Sequence, residues 1–278
     1  MRFAIKVLCF GVFLSSISPY FIFAADPASL KAMLEAERVR AERIAQETAR
    51  LDAEEARASQ PKIIVTDPTA KDFAKLPSVA RLRVKGKFGT DFGTGSVILS
   101  DEGRALIITV SHIFRNADEK SVISAEIFNP KTGKVDEFFV GYDGIKKTDP
   151  AADVGLLLIP TNRVISTLPL ASPSDVLEVG QKVTSYGCGG GEPPTKLEHL
   201  ITIFNRYTGP DTIECTGVPK QGRSGGALVD GSGRMIGITI AADNRDQRGL
   251  YTGLAPIRAI LESVGIDPKD LERRVPVK

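Results

Sequence analysis

The chain has 278 residues, 42% hydrophobic and 25% charged, with a formal net charge of +2. These are ordinary globular proportions, with length for one large domain with extras or two small ones. So small a net charge gives no strong pull toward nucleic acid or anionic lipid, and the absence of tryptophan beside 26 glycines and 17 prolines suits a turn-rich β protein better than a helical bundle.

Residues 1–24 read as a signal peptide. Arg2 and Lys6 supply a positive start, an apolar run follows from Val7 to Leu14, and Phe21-Ile22-Phe23-Ala24 ends at a small residue with a cut expected between Ala24 and Ala25. An uncleaved anchor is the competing reading, but Ser15, Ser16, Ser18 and Pro19 interrupt the run. No other apolar run approaches the ~20 residues of a spanning helix, so no membrane contact is expected after cleavage. Cleavage removes two bases and no acid, which leaves the mature chain formally neutral.

Residues 25–60 are of different composition, rich in Ala, Glu and Arg and without glycine. Asp26-Pro27 makes an N-cap followed by proline at the first helical position. Arg38/Glu42, Arg43/Glu47 and Glu47/Arg50 fall at helical spacing, so the expectation is one long exposed helix over 27–59. Leu30, Leu34, Ile44 and Leu51 hint at a coiled-coil seam that Glu37, Thr48 and Glu55 interrupt. A solvated spacer is the plain reading; an oligomerisation or partner-docking arm is the functional one.

From Gln60-Pro61 the pattern changes to short β-branched or apolar runs bounded by turn residues. Strands are expected over 62–66, 79–84, 94–99, 105–110, 121–128, 135–141 and 154–159, then over 182–186, 200–205, 212–216, 227–229, 235–241 and 249–252. About a dozen strands at this spacing describe an all-β sandwich or barrel. A helix over 255–264 follows, with a charged tail from Pro268 that is expected to fray. Residues 61–278 therefore read as one domain.

Within it, Gly222-Arg223-Ser224-Gly225-Gly226 sets a serine in a glycine-rich turn before an apolar strand. Glycines there let the backbone approach a substrate closely, and N–H groups gathered in such a turn can bind an oxyanion. A tight turn with an exposed serine is the bland alternative, so a base is needed. The chain has two histidines. His199, among the charges of Lys196-Leu197-Glu198-His199, reads as surface. His112 is delivered by the apolar strand Leu106–Val110, which suits a general base held by rigid backbone. Asp153, directly before the apolar run Val154–Ile159, is costly to bury unless paired. Pairing it with one ring nitrogen of His112 would leave the other free to take the serine proton. Taken singly, these two read as a core-edge histidine and a capping aspartate.

Order discriminates among families. The glycine–serine turn also fits the nucleophile elbow of α/β-hydrolases, but there the histidine follows the serine, and none follows Ser224. A subtilisin order would take Asp91 before His112, yet needs alternating helices and parallel strands that this pattern lacks. His112, Asp153, Ser224 is the remaining order.

Four segments in sequence carry a resemblance: Gly93-Thr94-Gly95-Ser96-Val97-Ile98, Thr109-Val110-Ser111-His112, Asp153-Val154-Gly155-Leu156-Leu157 and Gly222-Arg223-Ser224-Gly225-Gly226. Residues 79–264 resemble the trypsin/chymotrypsin-like serine proteases, closest in style to the bacterial high-temperature-requirement (Deg-type) protease domain without its peptide-binding C-terminal domain. The resemblance implies an all-β fold of two six-stranded antiparallel β-barrels with a C-terminal helix. It implies Ser224 as nucleophile, His112 as base and Asp153 as orienter, with the N–H groups of Gly222 and Ser224 as oxyanion hole. Val218, Ile240, Ala241 and Ala242 would line the specificity pocket, favouring small or medium apolar side chains before the cut.

Arg223 departs from the digestive enzymes, where an aspartate at that position pairs with a freed N-terminus; activation by that route is not expected. With Cys9 lost in the leader, Cys188 and Cys215 remain in a secreted chain, and the resemblance puts both near the site floor. One disulfide is the reading that follows, with two free buried thiols as the alternative. No metal-ligand cluster, phosphate loop or other cofactor motif is seen. The expected function is a secreted or periplasmic serine endopeptidase acting on protein or peptide substrates. A protease fold used for binding, or a latent protease, docking a partner through the helical arm, is the alternative.

Overall fold

The computed structural model describes residues 79–128 and 135–272, together with Glu35 and Arg38. The chain divides into two units, 1–61 and 62–278. In the first, Glu35 and Arg38 are both helical and form an ion pair at 2.7 Å. The signal peptide expected over 1–24, the rest of the helix expected over 27–59, the strand expected over 62–66 and the chain beyond 272 lie outside the described residues.

The second unit is built of two β layers. Strands β1 (Val79–Gly86), β2 (Gly89–Asp101), β3 (Arg104–Thr109), β4 (Val122–Phe128), β5 (Val135–Gly141), β6 (Ile145–Asp149) and β7 (Val154–Pro160) form a seven-stranded sheet in the order β5-β4-β1-β2-β3-β7-β6. Strands β8 (Lys182–Gly187), β9 (Thr195–Phe204), β10 (Thr212–Thr216), β11 (Ala227–Val229), β12 (Met235–Asp243) and β13 (Arg248–Thr252) close into a six-stranded barrel, β10-β13-β12-β11-β8-β9. All these pairings are antiparallel. The expectation of two six-stranded barrels thus holds for the second half alone. The first is a sheet of seven, because Ile145–Asp149 adds an edge strand beside β7 and no ladder joins β5 to β6 or β7 among the described residues.

Period-2 alternation marks strands such as β1, β5 and β8, whereas β3, β7 and β11 are continuous apolar runs buried on both faces. In β1, Ala80, Leu82 and Val84 are buried while Arg81 and Arg83 between them are half-buried and Lys85 is exposed. The large apolar cluster runs from that sheet through Ala227, Val229 and Ile238 of the barrel to Ile257, Ile260 and Leu261 of helix α1 (Leu254–Ser263). A second cluster, with Val183, Ile201, Ile213, Cys215, Leu228 and Tyr251, lies among the barrel strands. Each fully buried aliphatic side chain contributes about 1.5–3 kcal/mol.

Two further expectations are corrected. The tail from Pro268 does not fray at its start: Pro268–Glu272 forms a short helix, α2, with Pro268 and Leu271 buried. Arg258 of α1 also pairs with Glu272 at 2.5 Å. Cys188 and Cys215 are free thiols, both buried. They sit in separate clusters, Cys188 with Val79 and Phe128 and Cys215 in the barrel core, so no bridge joins them. Burial pushes the Cys188 thiol up to about 12 and the Cys215 thiol up as well, which keeps both protonated and unreactive.

Candidate active site

The β3–β7 register sets the histidine and the aspartate side by side. Thr109 pairs with Gly155, so the residues just past β3 meet those just before β7. After Thr109 the chain turns into a single 3₁₀ turn, His112–Phe114, pinned by the buried Ile113 and Phe114. Gly155 leaves room for this anchor: a Cβ there would meet the Phe114 ring at 2.9 Å.

His112 Nδ1 lies 2.6 Å from Asp153 Oδ2. Asp153 Oδ1 accepts from the His112 backbone N–H and from Ser111 Oγ, each at 2.9 Å. Burial would raise the Asp153 carboxyl, but the hydrogen bond and charge of the His112 ring, with the His112 N–H and Ser111 hydroxyl, outweigh it and hold it below the ordinary carboxylate value. Asp153 takes a left-handed backbone conformation, φ +56°, which aspartate tolerates better than most residues. A carboxylate kept ionised against Nδ1 fixes the tautomer with its proton on Nδ1 and its lone pair on Nε2.

Ser224 comes from the turn before β11, and Thr94 of β2 ties that turn to the first sheet. The Thr94 N–H donates to the Ser224 carbonyl at 2.7 Å and its hydroxyl to the Gly222 carbonyl at 2.8 Å. The Thr94 carbonyl accepts from Thr109 Oγ1 at 2.7 Å, so the nucleophile turn is linked to the strand that carries His112. Gly225, at φ +85°, must be glycine, since a Cβ would lie 2.0 Å from the Thr94 carbonyl oxygen. From the barrel side, Thr252 Oγ1 donates to the Ala152 carbonyl at 2.6 Å, next to Asp153. The sequence motifs do not mark Thr94, Thr109, Ser111 and Thr252 as site residues; for the three threonines the available signal is a hydroxyl at a buried strand position.

Within the turn, the N–H groups of Arg223, Gly225 and Gly226 donate to the carbonyls of Lys220, Thr239 and Arg223. Those of Gly222 and Ser224 meet no acceptor among the described residues, which leaves two donors for an incoming oxyanion. Gly222 has φ +91°, and a Cβ there would lie 2.7 Å from the Cys188 carbonyl oxygen. Ser224 Oγ itself makes no hydrogen bond among the described residues, to His112 Nε2 or elsewhere.

A cleft of about 490 Å³ adjoins Ser224, walled by Val218, Thr239, Ala241 and Ala242 with Lys220, Gln221 and Asn244. Three of the four pocket residues expected from the sequence line it; Ile240 does not. The β12–β13 register shifts between Thr239 and Ala241, and Ile240 packs against the large apolar cluster instead. Among the described residues no group of three or more His, Cys, Asp or Glu could hold a metal ion.

His199 is not a surface residue. It is 3% exposed, with Nδ1 2.6 Å from the Thr216 carbonyl and Nε2 2.8 Å from Ser185 Oγ. Burial holds its pKa down at about 4, helped by the Arg223 charge and opposed by the Thr216 carbonyl. Its folded pKa lies below the unfolded value near 6.5, so the unfolded state binds the extra proton between those values. Stability is therefore expected to fall by about 3 kcal/mol as pH drops from roughly 6.5 to 4, with no further loss from this group below that. Urea unfolding at pH 7.5 and 4.5 checks this. His199→Gln should lose most of the pH dependence, and an unchanged loss in that variant would count against it.

The His112–Asp153 pair is carried by the seven-stranded sheet, and the barrel supplies the Ser224 turn, with two N–H groups free among the described residues, and the cleft beside it. The chain belongs to the trypsin-like peptidase domain family, whose model matches residues 93–238, more than half of the chain. Among curated proteins it is 28% identical over 166 residues to the periplasmic serine endoprotease DegP of Salmonella typhimurium, covering 58% of this chain and 32% of DegP. It is 29% identical over 198 residues to the serine protease PepD of Mycobacterium tuberculosis, covering 64% and 41%. The chain thus spans about a third of the length of DegP. Among solved structures, the active form of the Rv3671c protease of M. tuberculosis superposes with a TM-score of 0.57 at 22% identity, covering 74% of this chain and 92% of that one. That likeness is one of fold.

Proposed function

We propose that this chain is a serine endopeptidase that cleaves peptide bonds through an acyl-enzyme. The observation that carries the reading is the doubly held Asp153 carboxylate on His112 Nδ1. Ser224 Oγ attacks the scissile carbonyl while His112 Nε2 takes its proton. The N–H groups of Gly222 and Ser224 receive the oxyanion, and His112 returns the proton to the leaving amine. Water then attacks the acyl-enzyme, with His112 again as base. The named relatives, all serine proteases, support the class. With residues 1–24 read as a signal peptide, the enzyme works outside the cytoplasm, secreted or periplasmic. Its substrates are proteins or peptides, and the reaction uses no cofactor.

The walls Val218, Ala241 and Ala242 favour a small or medium apolar side chain before the cut. Among the described residues no acid lines the cleft, and Lys220 adds a positive charge. A peptide library is expected to prefer valine or alanine over arginine there by about tenfold or more; a preference for Arg or Lys would overturn this.

One observation favours a second reading. Ser224 Oγ is not hydrogen-bonded to His112, as in an enzyme that aligns when a partner docks, with the helical segment 27–59 as the docking arm. Such bonds also tighten only on substrate binding in competent enzymes, so labelling decides. A fluorophosphonate should label the processed wild type and not Ser224→Ala, with casein digestion following. An unlabelled wild type would favour the latent or binding form.

A further inference from the structure

Arg223, the residue before the proposed nucleophile, is 1% exposed and among the largest fully buried side chains of the described chain. Nη1 donates to the Gly187 carbonyl at 2.9 Å and to Thr195 Oγ1 at 2.6 Å. Nη2 faces the Ser185 carbonyl and Oγ, each at 3.1 Å, and the Thr195 carbonyl at 3.2 Å. All five acceptors belong to the β8–β9 hairpin. Nε has no partner, and no carboxylate lies within ion-pair distance among the described residues. Gly187 gives the stem its room: a Cβ there would meet Arg223 Cβ at 3.3 Å.

A buried cation facing only neutral acceptors is a poor source of stability, and an apolar chain of similar length would fill the space at lower cost. What the guanidinium adds is geometry, because its planar fork fixes position and orientation together. The backbone of Arg223 is also the hinge of the turn. Its N–H donates to Lys220 O at 3.1 Å and its carbonyl accepts from Gly226 N–H at 2.9 Å. The two residues that flank it, Gly222 and Ser224, carry the unpaired N–H groups.

We infer that Arg223 is a positioning residue: its guanidinium, locked on the β8–β9 hairpin, holds the 222–226 turn in the shape that presents Ser224 and keeps the Gly222 and Ser224 N–H groups free. The turn is thereby set from inside the barrel by a side chain of the chain itself. The catalytic part of this inference rests on the endopeptidase reading; the structural part does not.

The test compares full-length wild type with Arg223→Met, Arg223→Lys and Thr195→Val. It uses fluorophosphonate labelling rates, kcat and KM on casein, and amide exchange over residues 218–228. Arg223→Met is expected to lower kcat and labelling about 100-fold with KM little changed, and to speed exchange at Arg223, Gly225 and Gly226. Arg223→Lys, which keeps a buried donor, should recover at least about tenfold of that loss. Thr195→Val removes one acceptor remote from Ser224 and should lower kcat several-fold. Wild-type labelling together with wild-type exchange in Arg223→Met overturns the inference. So does faster exchange across the whole barrel, which would mark a plain stability role. Should Arg223→Met not fold, an unchanged kcat and exchange in Thr195→Val overturns it instead. An unlabelled wild type refutes the protease reading, while the exchange measurement still decides the role of Arg223.

Discussion

Exchanging Ser224 for alanine is expected to lower casein turnover about 10⁶-fold, and His112→Ala by about as much. In the proposed mechanism the Ser224 oxygen is the protein atom that joins the substrate acyl group, and without the imidazole nothing takes its proton at neutral pH. Because the two act in one step, the double variant should be no slower than either single one, leaving the residual rate supplied by the oxyanion donors and substrate binding. Ser224→Ala should also fold as the wild type does, since Ser224 Oγ makes no hydrogen bond among the described residues and its loss leaves no partner unsatisfied. Steady-state rates beside a thermal melt check both halves. Turnover of Ser224→Ala within tenfold of wild type would move the nucleophile elsewhere.

The pattern of alternation and punctuation in the sequence made most of the strands legible. Every strand expected from Val79 onward has an observed counterpart, because each is a β-branched or apolar run bounded by turn residues. Ile145–Asp149 escaped notice since Ile-Lys-Lys-Thr-Asp is a short, charged edge strand with one apolar residue. The charges beside His199 suggest a surface position, and the alternation of β9 explains why it is buried instead. Lys196 and Glu198 occupy the outer face of β9, while Leu197, His199 and Ile201 are buried, so the neighbouring charges say nothing about the histidine. The juxtaposition of His112 and Asp153 follows from motif order, but what holds it, the β3–β7 register, does not appear in either segment alone.

The buried role of Arg223 was hidden for a related reason. Its acceptors come from Ser185, Gly187 and Thr195, far along the chain, and no local pattern announces an arginine that points inward. The same holds for Ile240, moved off the cleft wall by a register shift in β12, and for the two cysteines, which composition pairs but packing assigns to different clusters. Pairings between strands, rather than propensities within them, decided each of these cases.

Asp153→Asn is expected to lower kcat about 10⁴-fold while leaving KM and the fold nearly unchanged. Asparagine tolerates the left-handed backbone of this position as well as aspartate does, so the main chain has no reason to move. The orientation of the new amide is then set by the two donors at Oδ1. The His112 backbone N–H and Ser111 Oγ both give hydrogen bonds there, and the backbone donor cannot turn away, so the amide oxygen must stay at that site. The amide NH₂ consequently faces His112 Nδ1, which has to become an acceptor. The ring proton moves to Nε2, the nitrogen that should receive the proton of Ser224, and the base is present but blocked. Fluorophosphonate labelling should slow in proportion to kcat, since both need the same proton transfer. If Asp153→Asn labels and turns over within tenfold of wild type, Asp153 does not set the tautomer, and the hydrogen bond at 2.6 Å only ties β7 to the His112 turn.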